Sequence, residues 1–81
     1  MTRYFFDYRD ANGVIKDEIG EDLPSVDAAR EMALAALGDV ARDMTRQGHE
    51  DRLMIVVRDG EHAVAAATVT MSTNRLEPGE E

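Results

Sequence analysis

Carboxylates supply most of the groups in this chain that could do chemistry. Asp17 and Glu18, followed closely by Glu21 and Asp22, form an acidic cluster able to offer several oxygens to a hard divalent cation. A calcium loop counted from Asp10 has Asn12 and Glu21 at ligand positions, but Ile15 occupies the place where the sharp turn demands glycine. A solvated acidic strand end and loop is therefore expected, with no metal held. Asp7 and Asp17 could act as an acid–base pair across a hairpin. The hairpin register read below sets Asp7 opposite Glu18, however, and turns it away from Asp17. His49 and His62 stand in polar stretches beside Glu50, Asp51, Asp59 and Glu61. Zinc would need those two loops to meet and a supporting outer shell of hydrogen bonds, which nothing in the spacing requires. Both read as exposed loop histidines.

Nucleophiles are no better placed. Ser25 suits a helix cap, Ser72 lies near the C-terminus, and Lys16, the sole lysine, stands in a strand amid acids. The six glycines are scattered singly, mostly in turns, and make no phosphate cradle. The absence of cysteine excludes disulfides, Cys-ligated zinc, iron–sulfur clusters and thiol catalysis. No catalytic, cofactor-binding or metal-binding residue is assigned, no cofactor is expected, and the chain does not read as an enzyme.

Charge and size narrow the field further. Nine basic residues face seventeen acidic ones, a net charge of −8, which opposes binding to phosphate backbones and to anionic membranes. Eighty-one residues with 43 % apolar content allow one small folded core and no second. The N-terminus lacks the charged and apolar regions of a signal peptide, and no apolar run is long enough to span a bilayer, so a cytoplasmic protein is expected.

The elements that must position these residues follow from periodicity. From Arg3 to Arg9, Tyr4, Phe6 and Tyr8 alternate with Arg3, Asp7 and Arg9, the pattern of a half-buried strand, with Phe5 standing on the polar side. Four neighbouring aromatics are the residue type that base stacking uses, but three share the inward face and the chain is acidic, so they read as core. Asn12-Gly13 signals a two-residue hairpin loop, which sets Ala11 opposite Val14, Tyr8 opposite Asp17 and Phe6 opposite Ile19. Ile15 and Ile19 then join the aromatics on the inward face. Ser25 caps a helix from Val26 to about Arg46, whose stripe is Val26, Ala29, Ala33, Ala36, Leu37, Val40 and Met44, widened by Leu34 and Ala41. Gly48 stops it. Leu53 to Val57 is a strand, Arg58 to His62 a second hairpin turn, and Ala63 to Met71 a last strand.

The fold expected is α+β, in the order strand, strand, helix, strand, strand. Residues 1–71 form one compact domain, an antiparallel-rich four-stranded sheet with one long amphipathic helix packed on one face. Residues 72–81 form a disordered acidic tail.

The run Arg3-Tyr4-Phe5-Phe6-Asp7, then Asp10-Ala11-Asn12-Gly13, Asp17-Glu18-Ile19-Gly20, Leu23-Pro24 and Ala28-Ala29-Arg30, resembles a domain-of-unknown-function family of short bacterial proteins. Its members open R-Y-[FY]-F-D and continue with a D-x-x-G turn, D-x-E-G, and L-P before an A-A-R helix. Ile55-Val56-Val57-Arg58-Asp59 is similar to the family's third strand and turn, while Ala63 to Ala67 is poorer in bulky apolar residues than its fourth. The resemblance covers roughly residues 3–69. It implies the compact fold and a bacterial cytoplasm, and it assigns no activity and no site residue.

One sheet face should remain open. With Tyr4, Phe6, Ile15, Ile19, Ile55 and Val57 inward, the outward set is Phe5, Met54, Val56 and some of Ala65, Ala67, Val69 and Met71. Phe5, Met54 and Val56 are the expected anchors of a protein–protein contact, with Arg3, Arg9 and Arg58 as its rim. The function expected is a non-enzymatic interaction module, using this face or a sheet edge to bind a protein partner or a second copy, with no direct contact to nucleic acid or membrane. One alternative is an acidic decoy for a nucleic-acid-binding protein, presenting Asp27, Glu31, Asp39 and Asp43. Another is a weak sensor of a divalent metal or small ligand through the acidic loop.

Overall fold

The computed structural model describes residues 1–48 and 51–79. The elements run β1 (Thr2–Asp10), β2 (Gly13–Ile15), β3 (Glu21–Leu23), α1 (Val26–Gln47), β4 (Asp51–Asp59) and β5 (His62–Met71). All strand pairs are antiparallel. The sheet order is β2-β1-β4-β5, with β3 also on β1. The fold is α+β as expected, with five strands rather than four, because the second strand is broken in two. Since β4 holds one side of β1, β2 and β3 lie end to end along the other.

The first hairpin turns one residue earlier than expected. Its loop is Ala11-Asn12, so Asp10 pairs with Gly13 and Tyr8 with Ile15, instead of Tyr8 with Asp17. The Asp10 side chain causes this: its carboxylate accepts the Asn12 N–H at 2.8 Å, closing a local turn, and Gly13 supplies the φ of 140° that follows. Tyr4, by contrast, pairs with Glu21, which is the register expected for the whole hairpin. Two surplus residues between β2 and β3 reconcile these registers: Phe5 to Asp7 face the five residues Lys16 to Gly20.

The helix begins and ends where its caps dictate. Ser25 Oγ accepts the Ala28 N–H at 3.1 Å, and Gly48, at φ 74°, donates its N–H to the carbonyls of Met44 and Thr45. The core consists of Tyr4, Leu53, Ile55 and Val57 from the sheet against Ala29, Ala33 and Leu37. Two alanines on that stripe let the helix lie close to the strands. Val40 and Met44 extend the contact, whereas Leu34 is 64 % exposed, outside the stripe expected to bury it.

Two further expectations about facing are overturned. Ala65, Ala67 and Val69 pack on the helix side, and Met71 meets the helix through Thr45, whose Oγ1 lies 3.1 Å from its sulfur. They follow the inward residues they pair with, Val57 with Ala65 and Leu53 with Val69, while an irregularity beside Val57 and Arg58 leaves Val64 over. Ile15 and Ile19 are exposed rather than in the core, because α1 packs mainly over β5 and β4 and the chain has left the ladder at Ile19. Beyond β5, residues 72–79 carry no regular secondary structure. The last two tail residues, and His49 and Glu50 of the zinc reading, lie outside the described residues.

Candidate functional site

Period-two alternation along β1 sends Arg3, Phe5, Asp7 and Arg9 to the face away from the helix. Across the ladder, Phe5 pairs with Arg58, Asp7 with Val56, and Arg9 with Met54. The six residues expected at a partner contact therefore do share one face. Two of the three arginines are already committed inside the protein.

Arg58 is the hub. Its Nε donates to Asp7 Oδ2 at 2.8 Å, Nη2 to the Asp17 carbonyl at 2.6 Å and Nη1 to the Gly60 carbonyl at 2.8 Å. The guanidinium lies flat enough over Phe5 to put its carbon 4.6 Å from the ring centroid, a cation–π contact. Arg3 donates to the Ile19 carbonyl at 2.6 Å and pairs with Asp22. Arg3 stays half-exposed in that pairing, and Arg9 is turned to solvent beside Asp10, Arg52 and Met54 at a shallow depression of about 210 Å³.

The arch Lys16 to Gly20 leaves Phe5 to Asp7 without a strand partner on the side away from β4, and Asp17 fills the gap. Its Oδ2 accepts the Phe6 N–H at 3.0 Å, while Oδ1 accepts those of Ile19 and Gly20 at 3.0 and 3.1 Å. Asp17 in turn donates its own N–H to Asp7 Oδ1 at 2.9 Å. The expectation that Asp7 faces Glu18 and avoids Asp17 is thus reversed, because the two surplus residues fold the arch back over Asp7. Gly20 makes the close approach possible: at φ 74°, a Cβ there would lie 2.8 Å from the Phe5 ring.

Burial pushes both carboxyls up, but the bonds they accept win. Asp7 is drawn below the ordinary carboxylate value by Arg58 and the Asp17 N–H, and Asp17 by the N–H groups of Ile19, Phe6 and Gly20. The Asp7 bond raises Arg58 in return. Among the described residues no buried side-chain nitrogen or oxygen lacks a partner. The pair is therefore held charged and bonded within the fold, a tie between segments. Sequence reasoning saw these residues singly and missed the cluster. The available signal was Asp17 two and three residues before Ile19 and Gly20, the spacing of an Asx-type turn ending on glycine.

Two of the four carboxylates of the acidic cluster are likewise engaged internally, Asp17 in the arch and Asp22 with Arg3, while Glu18 and Glu21 are exposed. No group of metal-ligating side chains forms among the described residues, and His62 is exposed at the start of β5. No helix among them is long and apolar enough to cross a membrane.

A second region lies on the helix side, where α1 does not reach. Phe6, Tyr8, Ile15, Lys16, Asp17, Glu18 and Ile19 line a groove of about 470 Å³, with Ile15 69 % and Ile19 79 % exposed. Burial pushes the Tyr8 phenol at its floor up, aided by Asp10.

The architecture is that of a small α+β domain, one antiparallel sheet under one helix, with its polar network turned to the opposite face. The chain belongs to the family described as Domain of unknown function (DUF6894), whose model matches residues 3–72. No curated protein and no solved structure matches it.

Proposed function

We propose that the protein is a non-enzymatic protein-interaction module of the bacterial cytoplasm, and that it takes an extended apolar segment of a protein partner in the groove beside β2. The observation that carries this is the exposure of Ile15 and Ile19 next to the half-buried rings of Phe6 and Tyr8. Apolar side chains grouped at a concave surface gain by excluding water with a partner. The outer edge of β2 lies alongside and can add main-chain bonds to such a segment. Lys16 and Glu18 form a charged rim of both signs.

The decoy reading loses support on the helix, where Asp27, Asp39 and Asp43 each pair with an arginine three residues on. The sensor reading loses two of its carboxylates to Arg3 and the arch.

The test is affinity capture from cell lysate with wild-type protein and with the double variant Ile15→Asp, Ile19→Asp. Both side chains are exposed, so the fold should persist, as circular dichroism would verify. A stoichiometric partner that survives a high-salt wash and is absent from the variant supports the reading. Equal capture by the variant, release by salt, or an empty column overturns it.

A further inference from the structure

We infer that the protein forms a twofold dimer by pairing the outer edge of β5 with the same edge of a second copy. The surface is separate from the groove beside β2, at the opposite side of the sheet.

Strand β5 is ten residues long and, among the described residues, pairs only with β4. In an antiparallel ladder alternate residues turn their N–H and C=O outward, so this edge offers a row of about five unpaired residues. Proteins that stay monomeric guard such an edge with proline, lysine, inward charges or a break. Between Ala63 and Met71 there is no proline and no charged side chain. The one irregularity, at Val64, leaves Ala65 to Met71 in regular register. Small side chains at Ala65, Ala66 and Ala67 leave the backbone accessible.

The helix supplies the matching side-chain contact. Leu34, 64 % exposed, lines a cavity of about 430 Å³ with Ala66 and Ala67, rimmed by Asp27, Arg30 and Glu31. Ala66 and Ala67 are the two central residues of β5. A twofold axis perpendicular to the sheet must set like-facing residues opposite one another. Placed at mid-strand it puts Ala66, or Ala67, opposite its own counterpart. The same axis brings Leu34 of the two copies together above the strands, each covering apolar surface that the single chain leaves wet. Gly38, one turn further along α1, leaves room there, since a Cβ at that position would meet nothing. The contact is isologous and closes, so it makes dimers and not fibres.

Each copy carries a net charge of −8, while the paired strand is uncharged. Repulsion between the two net-negative copies is long-range and screened by salt, whereas the strand pairing and the Leu34 contact are not. Added salt should therefore strengthen the dimer.

Sedimentation equilibrium on the full chain, over a wide concentration range at low and high salt, tests this. Twice the mass of the 81-residue chain is expected, with a larger dimer fraction at high salt. Leu34→Glu and Ala66→Lys each place like charges at the axis on exposed positions, and each should weaken association by more than about tenfold without changing the melting of the monomer. The Ile15→Asp, Ile19→Asp variant should remain dimeric, so loss of the groove and loss of the dimer read out separately. A single-chain mass under every condition overturns the inference, as does a dimer that survives both Leu34→Glu and Ala66→Lys.

Discussion

Along the β1 side the sheet ends in two strands of three residues joined by a five-residue arch, whereas along the β5 side it ends in one strand of ten. Both edges have to deal with backbone groups that no neighbouring strand takes up. On the first, side chains do it: Asp17 accepts the Phe6 N–H, Asp7 accepts that of Asp17, and Arg58 takes the Asp17 carbonyl. Charged residues crowd there, and the edge is interrupted: the arch is satisfied from within, and β2 offers an outer edge of only three residues. On the second, among the described residues, no neighbouring strand or side chain takes them up. The charged residues that look most like a functional site on paper are thus the ones most fully engaged in holding the fold, and the featureless alanine strand is the surface with bonding capacity to spare.

Breaking the satisfied edge should cost the most. Asp7→Ala removes the acceptor of both Arg58 Nε and the Asp17 N–H in a site only 7 % exposed, and should lower unfolding free energy by about 3 kcal/mol, read by urea titration. A chain this small is stable by a margin not much larger than that. A loss below about 1 kcal/mol would show that the arch holds without it.

Next in size is Gly20→Ala, which combines a positive φ with a Cβ 2.8 Å from the Phe5 ring, and should cost about 2 kcal/mol. Gly13→Ala also strains a positive φ but meets nothing within 4 Å, so its loss should be roughly half as great. Equal losses would mean that ring contact adds nothing to the backbone strain.

The smallest effect is on acid stability. Asp7 and Asp17 titrate below their unfolded value, so the stability they contribute is present above the ordinary carboxylate range and is lost as pH falls through their lowered folded values. The urea midpoint should drop below about pH 4, and Asp7→Asn, though weaker at neutral pH, should show a shallower drop. Parallel acid profiles for the two proteins would remove Asp7 from the account.

What could be read in advance was whatever local chemistry decides. Ser25, Gly48 and the three- and four-residue spacing between them specify the helix, and alternating aromatics specify β1. The broken second strand was not legible, because two surplus residues leave no mark on a period-two pattern that is polar throughout Lys16 to Glu18. The facing of Ala65, Ala67 and Val69 was misread for a related reason. Small apolar residues show little contrast between inside and outside, and the irregularity at Val64 shifts the count. Phe5, Met54, Val56, Arg3, Arg9 and Arg58 were correctly placed on one face. That Arg58 covers Phe5 and grips Asp7 depends on β1 lying beside β4, a neighbour relation that nothing local encodes.

That same adjacency sets the order in which the chain can acquire its structure. Helix α1 and the β4–β5 hairpin are built from contacts close in sequence, so each can form on its own timescale. The central β1–β4 ladder joins residues from opposite sides of the whole helix, from Arg9 with Met54 to Tyr4 with Asp59, and must first close that long loop. Arg58, the latch of the arch, arrives with β4. The segment through β3 is therefore an unlatched hairpin until β4 is in place, and during synthesis it waits, unfinished, for residues that emerge well after it.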